Sequence, residues 1–339
     1  MEQPTVLSVR DLKTYFYLPH GVLKAVDGVS FDIHRGELVG LVGESGCGKS
    51  ITARSILNMV RPPGKPQGEV LFFRDGQAIN LLDLAPDGAE IRRIRGDALT
   101  MVFQEPMNAF SMVHTVGHQI MEVLLLHRPV TKREAREQTI QLLADVGISN
   151  PQQRVDEYPF QLSGGMRQRA MIAMAIATNP QLLICDEPTT ALDVSVQAQI
   201  LRLLKELQSQ RGMSILFITH DLAVIAQIAT RVIVMYLGKV VEEAPVREIF
   251  HNPRHPYTRK LMAAVPDIVL LEGGERRRLQ TIDGFVPEPI GLPDQCVFYD
   301  RCTEAWERCA AGGPPLIPVG EGHFVRCYLY DAASQPGRK

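Results

Sequence analysis

The chain has 339 residues, with 36 Lys and Arg against 38 Asp and Glu and a formal net charge of −2. Apolar residues make up 45% and charged residues 22%, a balance that excludes a disordered chain, and the lack of a short repeat excludes collagen-like and coiled-coil chains. The length points to two domains, or one large domain with an appendage, and the near-neutral charge supplies no global field for nucleic acid.

In chain order, β-branched runs and glycine turns predict mostly strands from Val6 to Phe73. Leu38–Val42 is a short, continuously apolar run and reads as a strand buried on both faces. A glycine-rich loop follows, then a helix starting near Lys49. Leu99–Phe103, Leu182–Cys185 and Ser214–Ile218 are runs of the same type, separated by helical stretches, which predicts an α/β fold with a parallel core. Between Phe103 and Cys185 the pattern is mostly helical, an expected subdomain over about residues 105–180. Within it Thr131 and Glu134 form a capping box, and Ala135, Leu142, Leu143 and Val146 recur at helical spacing. After Asp221 a helix is expected, then strands Arg231–Tyr236 and Lys239–Glu243 turning through Leu237 and Gly238.

From Phe250 onward Pro and Gly become frequent, apolar periodicity weakens, and Glu275–Arg278 forms a charged cluster. A boundary is expected near residue 250, dividing 1–250 from a tail at 251–339. The most apolar stretches, around Ala170–Ala177 and Leu222–Leu237, break well before the ~20 residues a bilayer span needs. Met1–Thr5 carries an acid and no apolar segment, so no signal peptide is expected and the cytoplasm is the expected compartment. There structural disulfides among the six cysteines are not expected.

Three strings carry chemistry. Gly43–Ser50 fits the pattern G-x-x-x-x-G-K-S between an apolar strand and a helix. Its glycines let backbone N–H groups turn in around a phosphate, Lys49 reaches the β- and γ-phosphates, and Ser50 can ligate Mg²⁺. Leu182–Glu187 is an apolar strand ending in two acids: Asp186 is placed to hold Mg²⁺, and Glu187 to orient or deprotonate an attacking water. Leu162–Gln168 contains Ser163, a good N-cap for a helix expected at Met166–Ala177, and Gly164 and Gly165, which bare helix N–H groups to an anion.

In this order the motifs resemble those of the ATP-binding-cassette (ABC) ATPases, over roughly Val6 to Glu243. The resemblance implies a cassette with a RecA-like core, an antiparallel β subdomain and a helical subdomain. It implies a Q-loop at Gln104, which also approaches Mg²⁺, and a signature motif at Leu162–Gln168. It implies a D-loop at Ala191–Asp193 and a switch histidine at His220. Glu44, Ser45, Gly46, Cys47, Gly48 and Ile51 complete the stretch around the phosphates, Cys47 in a variable position. Phe16, with Tyr15 as the alternative, sits where the family stacks an aromatic on adenine. The family's geometry implies that two cassettes pair head to tail. Each ATP then lies between Lys49-type residues of one and the residues matching Ser163, Gly164, Gly165 and Asp193 of the other.

The tail carries a second resemblance, from Phe250 to Tyr330. His251–Leu261 is similar to a segment of the ATPase subunits of dipeptide and oligopeptide importers. Cys296, Cys302, Cys309 and Cys327 follow as C-x5-C-x6-C-x17-C, the first pair matching the subfamily's C-x-F-x-x-R-C element. Four thiolates suit a [4Fe–4S] cluster, which the resemblance favours; zinc and unliganded thiols are the alternatives. The resemblance implies a paralogous second ATPase, two membrane permease subunits, an extracytoplasmic solute-binding protein, and a place on the cytoplasmic face of the membrane. Peptide is the expected cargo, with nickel and oligosaccharides as alternatives. A soluble ABC ATPase of translation or DNA is the rival class, and such proteins usually carry two cassettes or a coiled-coil insertion.

Overall fold

The computed structural model describes residues 4–105, 109–190, 192–264 and 284–331. Pro106, Ala191 and the Glu275–Arg278 cluster lie outside the described residues.

Thr5–Leu18 (β1) and Gly21–His34 (β2) form a long antiparallel pair. Leu38–Val42 (β3), helix Lys49–Ile56 (α1), Gly64–Arg74 (β4), Gln77–Asn80 (β5) and helix Ala89–Ile94 (α2) follow. β4 returns to β1, giving an antiparallel sheet in the order β2-β1-β4-β5.

The larger sheet is built around β3. Leu99–Val102 (β6), Leu182–Asp186 (β7), Ser214–Thr219 (β8), Arg231–Tyr236 (β9), Lys239–Pro245 (β10), Ile317–Gly320 (β11) and His323–Val325 (β12) join it. The order is β11-β12-β10-β9-β3-β8-β7-β6. β3, β6, β7 and β8 are parallel, as their unbroken apolar runs predict, and β9 joins them in parallel beside β3. Alternate residues feed opposite layers. Leu38, Val42, Leu183, Cys185, Ile215 and Phe217 face one hydrophobic layer; Val39, Leu41, Leu182, Ile184, Leu216 and Ile218 face the other.

The second layer is closed by the antiparallel sheet and α1. The first is closed by helices Val116–His127 (α3), Lys132–Asp145 (α4), Gly164–Ile176 (α5), Val194–Arg211 (α6) and Leu222–Ile228 (α7). α3, α4 and α5 contact one another within the interval expected to be helical. The box at Thr131 and Glu134 is complete, with each backbone N–H bonded by the other residue's side chain. α5 starts at Gly164, two residues earlier than expected, because Ser163 Oγ accepts from Met166 N and makes both glycines the first helical residues.

Beyond β10 come helices Val246–His251 (α8) and Pro256–Ala263 (α9). The C-terminal residues extend the main sheet: β12 pairs antiparallel with β10 and β11 with β12. A buried polar knot fastens this junction. Glu242, 0% exposed, lies 2.8 Å from His323 Nε2 and accepts from Arg254 N and His255 N. Phe298 packs edge-on to Tyr236 and lies against Tyr257, inside the first layer. Among the described residues no helix is long and apolar enough to cross a membrane.

Candidate functional site

The parallel register decides what meets. Val42 pairs with Thr219, Asp186 with Ile218, and Val102 with Cys185, so the carboxyl ends of these strands lie together at one end of the sheet. Each motif begins one or two residues past such an end: Gly43, Gln104, Glu187 and His220. In open α/β sheets that end is where ligands bind.

Gly43–Lys49 turns as a loop into α1. Gly43, Gly46 and Gly48 have φ of 154°, 81° and 101°. At Gly48 a Cβ would sit 2.2 Å from Ala25 O, so no larger residue fits. Lys49 Nζ donates to Gly43 O at 2.8 Å and Glu44 O at 3.0 Å, and Cys47 is buried beneath it.

Ser50 Oγ donates to Asp186 Oδ1 at 2.8 Å. Asp186 is almost fully buried, and burial, with Glu187 beside it, lifts its carboxyl above the usual range despite the Ser50 bond. A hydroxyl and a buried carboxylate at the foot of a phosphate loop are a donor set that fits Mg²⁺.

Glu187 has φ 47°, in the left-handed region, with its N–H bonded to Ile218 O. Its carboxylate gathers three partners. Gln104 Nε2 donates to Oε2 at 3.2 Å, Thr190 Oγ1 donates to Oε2 at 3.0 Å, and His220 Nδ1 lies 3.3 Å from Oε1. An acid held this way can orient and deprotonate a water.

A cleft of about 740 Å³ runs across these groups. Its walls include Phe16, Ser45, Gly46, Gly48, Lys49, Ser50, Ile51, Gln104 and Glu187. Phe16 rather than Tyr15 lines it: the Tyr15 phenol donates to Asp27 instead, and its ring lies under Lys24 Nζ. Sequence reasoning missed the opposite wall, Val286–Pro289. Lys24 N donates to Pro289 O at 2.9 Å and Leu23 bridges Ile290, which holds that segment against β2. It also missed Thr190.

Ser163, Gly164, Gly165 and Asp193 do not line this cleft. Ser163 and Asp193 cap α5 and α6. A Cβ on Gly164 would meet nothing within 4 Å, so that helix start presents an open face.

Cys296, Cys302, Cys309 and Cys327 line one small separate cavity with His255, Tyr299 and Tyr328, and none is in a disulfide. Burial pushes the Cys296 thiol up to about 11 and Cys327 to about 12, and raises Cys302. Among the described residues no three His, Cys, Asp or Glu side chains are grouped to hold a single metal ion. The expected [4Fe–4S] cluster and the zinc alternative therefore find no ready-made ion site here.

A phosphate loop, a buried magnesium-type pair and a poised acid at one end of the sheet define a P-loop nucleoside triphosphatase. Comparison with known proteins narrows this class. The ABC transporter family model matches residues 26–190, and the model for the oligopeptide/dipeptide transporter C-terminal region matches 241–309. The chain is 48% identical to the oligopeptide transport ATP-binding protein AppD of Bacillus subtilis, over 96% of this chain and 97% of that one. It is 43% identical to the dipeptide transport ATP-binding protein DppD of Escherichia coli, over 98% and 99% respectively. A dimeric ATP-binding cassette solved in a post-hydrolysis state with ADP and Pi superposes with a TM-score of 0.63 at 29% identity, covering 71% of this chain and 99% of that one. The chain belongs to the ABC transporter family, as one of its ATPases.

Proposed function

We propose that this chain hydrolyses ATP to drive peptide import through a multi-subunit transporter, as a peripheral subunit on the cytoplasmic face of the membrane. The observation that carries the ATPase reading is Glu187 held by Gln104, Thr190 and His220 beside the Lys49 loop and the Ser50–Asp186 pair. Ser50 and Asp186, with Gln104 nearby, would hold the Mg²⁺ that accompanies ATP, and that ion would neutralise phosphate charge. Lys49 and Gly43–Ile51 hold the phosphates, Phe16 stacks on the base, and Glu187 takes the proton of the attacking water. His220 keeps Glu187 oriented.

A second cassette supplies the residues that match Ser163, Gly164, Gly165 and Asp193, whose open helix start lies off this chain's own cleft. ATP favours the closed pair and hydrolysis reopens it. Peptide cargo is supported by the names of the AppD and DppD relatives and by the matched C-terminal region. Two permease subunits, a solute-binding protein and a paralogous ATPase complete the assembly. Reconstituted in vesicles, the complex should hydrolyse ATP faster when its solute-binding protein carries peptide. Stimulation by nickel or oligosaccharide and not by peptide would replace the cargo assignment while leaving the ATPase intact.

We further infer that Cys296, Cys302, Cys309 and Cys327 hold a [4Fe–4S] cluster. What supports this reading is that all four cysteines line one small cavity, three of them buried and Cys302 half-buried, with none in a disulfide, and that four thiolates suit such a cluster. Such a cluster cross-links the tail. Iron and acid-labile sulfide in the anaerobically purified chain would support it; stoichiometric zinc, or no metal, would refute it.

A further inference from the structure

We propose that Arg301, in the C-terminal segment, is a positioning residue for the phosphate loop. The inference rests on the reading that Gly43–Ser50 binds nucleotide phosphates. Arg301 grips Glu44, 257 residues away, with Nη1 donating to Oε2 at 2.8 Å and Nη2 to Oε1 at 3.0 Å. This is a fork-to-fork pair, the geometry that fixes both partners most firmly. The Arg301 side chain is 5% exposed and that of Glu44 26%. Nη1 also reaches the Tyr236 hydroxyl, and Lys260 Nζ donates to the Arg301 backbone carbonyl, so the side chain and the backbone of Arg301 are each held.

The Glu44 backbone is fixed from the same side. Its N–H donates to the Tyr257 hydroxyl at 2.9 Å, while its carbonyl accepts from Lys49 Nζ at 3.0 Å. Glu44 is thus tied to the tail through its side chain and N–H, and to the phosphate-reaching lysine through its carbonyl. A carboxylate in an anion-binding loop repels phosphate and competes for Lys49 unless it is neutralised and turned aside. Arg301 does both: Glu44 is absent from the cleft wall that its neighbours Ser45 and Gly46 form. The second residue of the loop therefore has its charge cancelled by a side chain from the far end of the chain.

The test is equilibrium titration of the full chain with ATP in Mg²⁺, together with steady-state hydrolysis in the assembled transporter. Arg301→Met leaves Glu44 unpaired and should weaken ATP binding by about tenfold, raising KM while kcat stays within about threefold. Adding Glu44→Gln to Arg301→Met removes the stranded carboxylate and should recover most of that affinity, while the rise in KM at nearly constant kcat is the readout that a merely structural role would not give. Arg301→Lys, which keeps the charge but not the fork, should fall between wild type and Arg301→Met, and it stands in if the Met variant does not fold. ATP affinity unchanged in the Arg301 variants, or a double variant no better than Arg301→Met, would overturn the proposal. Lys49→Ala in the same titration separates the two readings: if it leaves ATP binding intact, the phosphate-loop assignment is the one that fails.

Discussion

Ser50 Oγ donates to Asp186 Oδ1 at 2.8 Å across 136 residues of sequence, joining the phosphate loop to the acidic strand. Burial raises the Asp186 carboxyl, so ionising it costs the fold free energy that Ser50, Arg54 and Lys49 offset only in part. The sign follows: a carboxyl whose folded pKa lies above its unfolded value destabilises the fold once pH rises past the unfolded value. Asp186→Asn should therefore melt at a higher temperature than wild type in Mg²⁺-free buffer at pH 7–8, by calorimetry. The same variant should lose ATP hydrolysis by about 10²-fold, for want of the charge that holds the metal. An Asn variant that is both less stable and fully active would contradict the assignment.

Glu187 is kept in a left-handed backbone conformation and given three side-chain partners, an arrangement with a conformational cost of about 1–3 kcal/mol. Glu187→Gln preserves shape and hydrogen bonding but removes the base. ATP binding should stay near wild type while phosphate release in the assembled complex drops by ~10²-fold or more. Near-normal turnover would sink the role given to Glu187.

Gly48 holds φ 101°, and a Cβ there would lie 2.2 Å from the Ala25 carbonyl oxygen. Backbone cannot yield as a flexible side chain does. Gly48→Ala should cost about 2 kcal/mol or more, read as a lower denaturant midpoint, and ATP binding should weaken with it. Gly212→Ala is the control for positive φ alone, because its Cβ would meet nothing within 4 Å at φ 62°. It should cost about 1 kcal/mol and spare ATP binding.

His255 is buried, its Nδ1 accepts from Tyr257 N, and its ring lies against Phe298. Burial pulls its pKa down to about 4, with Glu242 opposing this and Arg259 adding to it. Unfolded, the ring takes a proton near 6.5. The contribution of neutral His255 is present above that value, is lost as pH falls from about 6.5 towards about 4, and changes no further below. His255→Asn keeps a cap acceptor for the start of α9 and should flatten the melting temperature across this window. A slope identical to wild type would show that other groups govern it.

The strand Leu38–Val42 has the ends that the sequence predicts, because a doubly buried parallel strand leaves an uninterrupted apolar run. Gly43–Ser50, Asp186, Glu187 and Ser163 were legible for a related reason: phosphate binding and helix capping demand particular residue types at short, fixed spacing. Thr190 and Val286–Pro289 were not, because a hydroxyl in a loop and a proline-rich stretch have no such local constraint. The choice between Phe16 and Tyr15 likewise needed the strand in place.

By itself the sequence determined the strands of the parallel core and the position of each motif, since both arise from interactions among near neighbours. Only the tertiary structure decided how the end of the chain is used. β12 adds to the edge of the sheet through β10, Phe298 fills the aromatic layer, and Arg301 reaches the loop that begins at Gly43. Backbone pairing and a salt bridge across 257 residues depend on the path of the whole chain, which no spacing within a motif encodes. Part of the length beyond residue 250 therefore goes to the main sheet and to the phosphate loop.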